Sequence, residues 1–486
     1  MGYKITGYKP EKLFHFFEDV CAIPRGSGNE KQISDFLVSF AKERNLWVYQ
    51  DDSHNVIIKK AGSKGAENKE PVMLQGHIDM VCDKLAGVEH DFEKEGIDLV
   101  LKDGVLSANG TTLGADNGVA VALMMMVLDD EEIAHPPVEC VFTTEEEVGL
   151  NGAQALDKSQ ITARTMINMD SEEEGVATIS CAGGLRVQLT KAAERVSAEG
   201  TLVQIKMEGL LGGHSGTDID KERQNANILM ARMISRLMNE TDGKLVTYAG
   251  GTKDNAITRE CEASLIYAEK AEAEKAEKLA CAMAETFSGE ISSFEPDFGC
   301  EISVEEGQSV SALKDDDAKA FVNAIRLAPN GVYRRNIKMD GFVVVSSNMG
   351  VVRADDNELV IVISPRSSVA SLQEDTKERL ALLAETFGFE IEYSGEYPGW
   401  DFKEDSRIRE VFQESYRELF GEELRLEALH AGLECGLFSE ALPGLDAIAV
   451  GPTLYNVHTP DENVPLDSFE RFYELLKDVL KRLAAS

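Results

Sequence analysis

The stretch Val72-Met73-Leu74-Gln75-Gly76-His77-Ile78-Asp79-Met80 decides how the rest of the chain is read. An apolar run bounded by Gly has the form of a buried strand in an α/β sheet. Residues two apart on an extended segment point to the same side, so His77 and Asp79 reach one place together. Further along, Asp116, the triplet Glu145-Glu146-Glu147, Asp170 and His458 each stand at the end of, or just after, an apolar strand-like run. A lone His-x-Asp is commonly a surface pair, and a run of Glu is commonly a solvated helix face. Here the triplet follows residues 138–144, which have the composition of a buried strand, and features of one chemical type recur at strand ends. Imidazole nitrogens and carboxylate oxygens are the ligands of divalent metals.

If His77, Asp116, one Glu of the triplet, Asp170 and His458 converge, their number suits two ions. Each ion then has one His and one acidic ligand of its own, with Asp116 between them. Zinc accepts N and O ligands at about 2.0–2.2 Å, and metal pairs about 3.5–4 Å apart hold a water ready for attack. Manganese or cobalt suits the same donors. Asp79 is left to orient His77 through its other ring N–H. A second Glu is left to move a proton from water to a leaving amine.

The chain has 486 residues, too many for one compact core, and two domains are expected. Its 49 basic and 86 acidic residues give a net charge of -37, which argues against nucleic acid. The first twenty residues lack a basic start followed by an apolar core, and no window holds about 18 consecutive apolar residues. Neither export nor membrane spanning is expected, and a cytoplasmic location follows. The eight cysteines include no C-x-x-C and mostly sit in apolar surroundings, which reads as buried thiols in a reducing compartment.

In chain order, helices are expected at 11–22 and, opened by a capping box at Ser27-Gly28-Asn29-Glu30, on to about 43. A hairpin at 47–51 and 55–61 follows. Residues 107–118 read as a loop that delivers Asp116 to an apolar helix at 119–128, and strands are expected at 137–144 and 165–169. From about 186 the texture changes to strands at 187–190, 202–207, 263–268, 342–352 and 358–364. These are interspersed with helices at 222–238, 269–287, 315–327 and 371–387, an α+β order with an antiparallel sheet covered on one face. Tyr397-Pro398-Gly399-Trp400 breaks the pattern, and helices near 406–420 and 467–484 flank strands at 424–429 and 445–451. Because the last candidate ligand lies beyond the break, the simplest architecture is an α/β domain of residues 1–186 and 397–486 with an α+β domain, 187–396, inserted.

These residues lie in segments that resemble the M20 metallopeptidase family: G-H-I-D-M-V (76–81), G-A-D-N-G (114–118), T-E-E-E-V-G (144–149), N-M-D-S-E (168–172), G-G-H-S-G (212–216) and H-T-P-D-E (458–462). The segments fall in order across nearly the whole chain. Within the family the aminoacyl-histidine dipeptidases, a cytosolic Xaa-His, carnosinase-like branch, are the nearest in pattern. That finer likeness is carried by G-G-T-K-D-N-A-I (250–257), S-P-R-S-S (364–368), Y-P-G-W (397–400) and H-A-G-L-E-C-G (430–436).

The resemblance implies a two-domain fold, an α/β di-metal catalytic domain with an inserted lid or dimerisation domain. It implies two divalent ions, zinc first, held by His77, Asp116, Glu147, Asp170 and His458. Counting back from Gly149, it makes Glu147 the ligand and Glu146 the general base, with Asp79 behind His77 and a cis peptide joining Asp116 to Asn117. His214 donates to the scissile carbonyl oxygen, assisted by Asn255. Arg366 clamps a terminal carboxylate, and the Gly432 backbone lines the same end of the pocket. In dimeric relatives the His at the 214 position comes from the partner subunit, but the longer inserted domain here leaves monomer and homodimer both open. The expected activity is hydrolysis of dipeptides with a free C-terminal carboxylate, preferentially Xaa-His, by a metal-activated water. A tripeptidase, broad dipeptidase or deacylase of the same family shares every ligand, and a non-catalytic metal or peptide binder of this fold is the third reading.

Overall fold

The computed structural model describes residues 2–337 and 341–485. Its elements group into two compact units, residues 1–181, 402–428 and 433–486 in the first and 182–401 with 429–432 in the second. The class is mixed α/β.

The first unit is built on an eight-stranded sheet. Its centre is parallel: Val72–His77 lies between Val138–Thr143 and Thr165–Asn168, and Asp446–Ala449 pairs parallel with the last of these. The strands Val72–His77 and Val138–Thr143 are buried at every residue, the pattern of parallel strands covered on both faces. A parallel arrangement of this kind puts the strands' carboxyl ends along one edge, where loops carry chemistry. The Trp47–Gln50 and Val56–Lys60 hairpin extends the sheet antiparallel. The helix Ala115–Asp129 is apolar around its circumference and buried along its length, as such a helix must be. It crosses close to the central strand: a Cβ at Gly76 would stand 2.6 Å from Ala120 Cβ.

The second unit has a nine-stranded sheet, antiparallel throughout among the described residues. The helices Ala226–Glu240, Lys270–Ile291, Asp315–Leu327 and Ala370–Phe387 pack their apolar faces onto it, with Phe287, Phe321 and Met230 in the shared core. A two-residue ladder pairs Gly213–His214 with Ala256–Ile257. The long strand Gly299–Leu313, mostly exposed, forms one edge of the sheet.

One local expectation is corrected. Ser27 does not cap the second helix, which begins at Lys31 after Glu30. The Ser27 hydroxyl instead donates to Asp79 Oδ2 at 2.8 Å, and the Glu30 carboxylate accepts the N–H groups of Gly28 and Glu145. The segment is a tether between the helix and the strand ends. Among the described residues no helix is long and apolar enough to cross a membrane. Among the described residues no disulfide forms, five of the eight cysteines are buried, and burial pushes the Cys21 thiol up to about 12.

Candidate active site

The five residues read as ligands gather at the carboxyl ends of the parallel strands of the first unit. His77 ends its strand, Glu147 follows Val138–Thr143, Asp170 follows Thr165–Asn168, and His458 lies on the segment after Asp446–Ala449. Asp116 sits in the first turn of the apolar helix with non-helical backbone angles, and its bond to Asn117 is cis.

Asp116 lies between the two histidines. Its Oδ1 is 3.1 Å from His77 Nε2 and its Oδ2 is 3.1 Å from His458 Nε2. Asp170 Oδ1 is 3.3 Å from His77 Nε2, and a Glu147 carboxylate oxygen is 3.1 Å from His458 Nε2. Two candidate three-ligand groups, His77-Asp116-Asp170 and Asp116-Glu147-His458, therefore share one carboxylate; His77, Glu146 and Glu147 form a third. Ligand atoms around a tetrahedral ion with bonds of about 2.0–2.1 Å stand about 3.3–3.4 Å apart, so the separations fit such ions with little movement. The cluster is buried at the His77 end, 1 % exposed, and open at His458, 48 % exposed.

The charges press on one another. Burial, then the neighbouring Asp116 and Glu147, raise the Asp170 carboxyl to about 6, although His77 opposes the shift. Hydrogen bonds to Asp116 and Glu147 hold the His458 imidazolium, raised to about 11. Burial drives Glu146 well above the usual carboxylate range, reinforced by Asp170, Glu434 and Glu147 against the pull of His77. A pocket of carboxylates that resist joint ionisation is chemically matched to divalent cations.

Asp79 is fully buried, 3.3 Å from His77 Nδ1. Burial works against its charge, but His77, the Ser27 hydroxyl and the Glu146 N–H together hold it below its ordinary value. It also accepts the Glu147 N–H at 3.3 Å, so one carboxylate faces the imidazole and braces the turn that carries the candidate base and the candidate ligand.

Three supporting groups were missed by the sequence reading. Glu462 accepts the N–H groups of Leu113, Gly114 and Asp116, which fixes the loop that aims Asp116. Arg25, 1 % exposed, donates to the carbonyls of Ile78, Asp79 and Gly114. Gly114 has φ +71, and a Cβ there would stand 2.5 Å from Arg25 Nη2, so both conformation and space call for glycine. Glu434 lies under the strand ends, accepting from Thr143 Oγ1 at 2.8 Å and from Gln75, while Asn168 Nδ2 donates to Gln75 Oε1. Burial and the Asp170 charge raise the Glu434 carboxyl to about 7. The only sequence signal for these groups was an acidic residue inside two of the quoted segments, 430–436 and 458–462.

The residues read as substrate-binding belong to the second unit. His214 Nδ1 accepts the N–H groups of Gly216 and Thr217, both at 3.2 Å. That leaves the proton of the neutral ring on Nε2. Burial and then the Arg366 charge lower the His214 pKa, which favours this neutral form. Asn255 stands beside it: Ser215 N–H donates to the Asn255 carbonyl at 2.9 Å, and His214 faces Ala256 in the short ladder. Arg366 is 8 % exposed and donates from Nη1 to Tyr397 Oη at 2.6 Å. Gly432 packs under the Tyr397 ring, where a Cβ would come within 2.7 Å of Cε2.

Residues 73–482 match the model of peptidase family M20/M25/M40. The chain is 35% identical over 486 residues to the cytosol non-specific dipeptidase of Escherichia coli (strain K12), covering 99% of each. It superposes on the crystal structure of aminoacylhistidine dipeptidase from Vibrio alginolyticus with a TM-score of 0.94 at 35% identity, covering 99% of this chain and 98% of that one. Aminopeptidase PepT from Bacillus cereus ATCC 10987 shares the fold alone, with a TM-score of 0.55 at 17% identity and 98% of each chain covered. A family match over most of the length, together with two full-length relatives at this identity, makes the chain a member of peptidase family M20/M25/M40.

Proposed function

We propose that this protein is a di-metal dipeptidase, active on dipeptides with a free C-terminal carboxylate and preferring Xaa-His. The observation that carries the reading is Asp116, with one carboxylate oxygen directed at each histidine. The names of the full-length relatives, a dipeptidase and an aminoacylhistidine dipeptidase, support the substrate class.

In this reading His77, Asp116 and Asp170 hold one ion and Asp116, Glu147 and His458 the other, with zinc the first choice and manganese or cobalt accepted by the same donors. When bound, the ions supply Lewis acidity that polarises the scissile carbonyl and acidifies water. The remaining work falls to the chain. Glu146 takes the water proton on its carboxylate and delivers it to the leaving amine, a task suited to a carboxyl with a raised pKa. Asp79 keeps His77 and the Glu146 turn in place. His214 Nε2–H and Asn255 donate to the carbonyl oxygen as charge develops there, and Arg366 takes the substrate carboxylate. The second unit thus carries substrate recognition, and the first carries the chemistry. The cytosolic relative supports a cytoplasmic location.

The test is a panel of dipeptides, tripeptides and N-acyl amino acids given to protein loaded with zinc. Dipeptide hydrolysis that a chelator stops and added metal restores is the expected result; no dipeptide turnover in the loaded protein overturns the proposal. The word non-specific in the name of the Escherichia coli relative favours a broad dipeptidase as a second reading. Equal kcat/KM for Xaa-His and Xaa-Ala substrates would select it. Sedimentation separates the one-chain and two-chain forms.

A further inference from the structure

Arg366 is a buried cation, and among the described residues no carboxylate stands within ion-pair distance of it. The one acidic residue lining the pocket that Arg366 also lines, Asp254, stands 4.0 Å from Arg186 instead. The guanidinium meets two hydroxyls, Tyr397 Oη at 2.6 Å from Nη1 and Ser215 Oγ at 3.4 Å from Nη2, and its Nε has no partner. In both contacts the arginine donates and the hydroxyl oxygen accepts. Each hydroxyl therefore keeps its own hydrogen, and among the described residues neither has an acceptor for it. A buried positive charge that meets no counter-ion among the described residues, flanked by unspent O–H and N–H donors, is a site built for an anion.

The Tyr397 ring is seated for that purpose. Tyr397 is paired with Gly184 across the sheet, and a Cβ at Gly184 would come within 2.7 Å of its hydroxyl. Gly432 leaves space at the ring edge. Two glycines, neither in the left-handed region, thus make room for one side chain. Tyr397, Arg366, Asn255 and Gly184 all line a pocket of about 210 Å³.

We infer that Tyr397 and Ser215 are the second and third arms of the carboxylate grip: their hydroxyls donate to the terminal carboxylate that Arg366 binds, and Tyr397 thereby selects free acids over amides. The inference rests on the dipeptidase reading for the identity of the anion. A hydroxyl that donates to a charged group contributes enough to change affinity by about 10-fold or more when it is deleted.

The experiment compares wild type with Tyr397→Phe and Ser215→Ala in the metal-loaded, full-length protein. KM and kcat are measured on alanyl-histidine, and inhibition by two non-hydrolysable dipeptide analogues that differ only in a C-terminal carboxylate or carboxamide. Tyr397→Phe keeps the ring seat, and is expected to raise KM and weaken the acid analogue by about 10-fold, with kcat and the amide analogue moved less than about 3-fold. Equal weakening of both analogues, or of neither, overturns the assignment. If Tyr397→Phe does not fold, Ser215→Ala and the wild-type preference for the acid over the amide carry the test, and equal wild-type binding of the two overturns it. Acid-selective binding without turnover of any dipeptide would sink the dipeptidase reading and leave the grip standing; turnover with no acid selectivity would do the reverse.

Discussion

Asp79 accepts the backbone N–H of Glu146 at 3.1 Å while its carboxylate faces His77 at 3.3 Å. The residue that orients a candidate ligand therefore also positions the candidate base. Asp79→Asn keeps the shape but removes the charge, and one amide group cannot accept both backbone N–H contacts and the Ser27 hydroxyl as a carboxylate does. We expect metal affinity and kcat to fall together by about 10–100-fold. Metal titration against a chromophoric chelator, beside steady-state rates, checks this; a drop in kcat with metal affinity intact would confine Asp79 to the base.

Glu146→Gln should behave differently. The substitution leaves the ligand set and the Asp79 contact to the backbone in place, so two ions per chain should remain while turnover falls by at least about 100-fold. Metal content by elemental analysis and rates on any accepted dipeptide decide it, and substantial residual activity would remove Glu146 from the base role.

His458→Ala removes one of the two nitrogens that face Asp116. The expected outcome is loss of one ion of the two, with the rate falling in parallel. An unchanged stoichiometry of two would show that His458 is not a ligand.

His430 offers a pH test within the second unit. It is buried, its Nε2 lies 2.7 Å from Ser346 Oγ, and burial followed by the Arg366 charge lowers its pKa to about 3. A histidine depressed in the folded state is protonated first in the unfolded chain. Its stabilising effect is thus complete above about 6.5 and is lost as pH falls from there toward about 3. Urea unfolding at several pH values should show wild type losing up to about 1.4 kcal/mol per pH unit from this group across that window. His430→Gln should flatten the slope; an identical pH dependence would discount the residue.

The strand ends were legible because buried parallel strands appear as largely apolar runs, and a charged residue just past such a run has few other reasons to be there. Val72–His77 and Val138–Thr143 are the clearest cases. What failed was local pattern without tertiary context. Ser27 through Glu30 satisfies the capping-box spacing, yet the hydroxyl is taken by Asp79, 52 residues away. The strand Gly299–Leu313 is mostly exposed on both faces, so no apolar alternation announces it. Glu434 and Glu462 read as ordinary polar residues because what makes them useful is burial, and burial of a single carboxylate leaves no periodic trace. Tyr397 was visible only as part of a chain-breaking Y-P-G-W.

The pairing of Asp446–Ala449 with Thr165–Asn168 has a consequence for biosynthesis. The earlier strand leaves the ribosome long before its neighbour exists, because the entire second unit is translated in between. At about 5–20 residues per second that delay is roughly tens of seconds. During it, the nascent first half exposes an apolar hydrogen-bonding edge that another chain could capture. A holding chaperone at that edge, or rapid translation through the second unit, would suppress such capture, and slow codons placed there should lower the yield of correctly assembled protein.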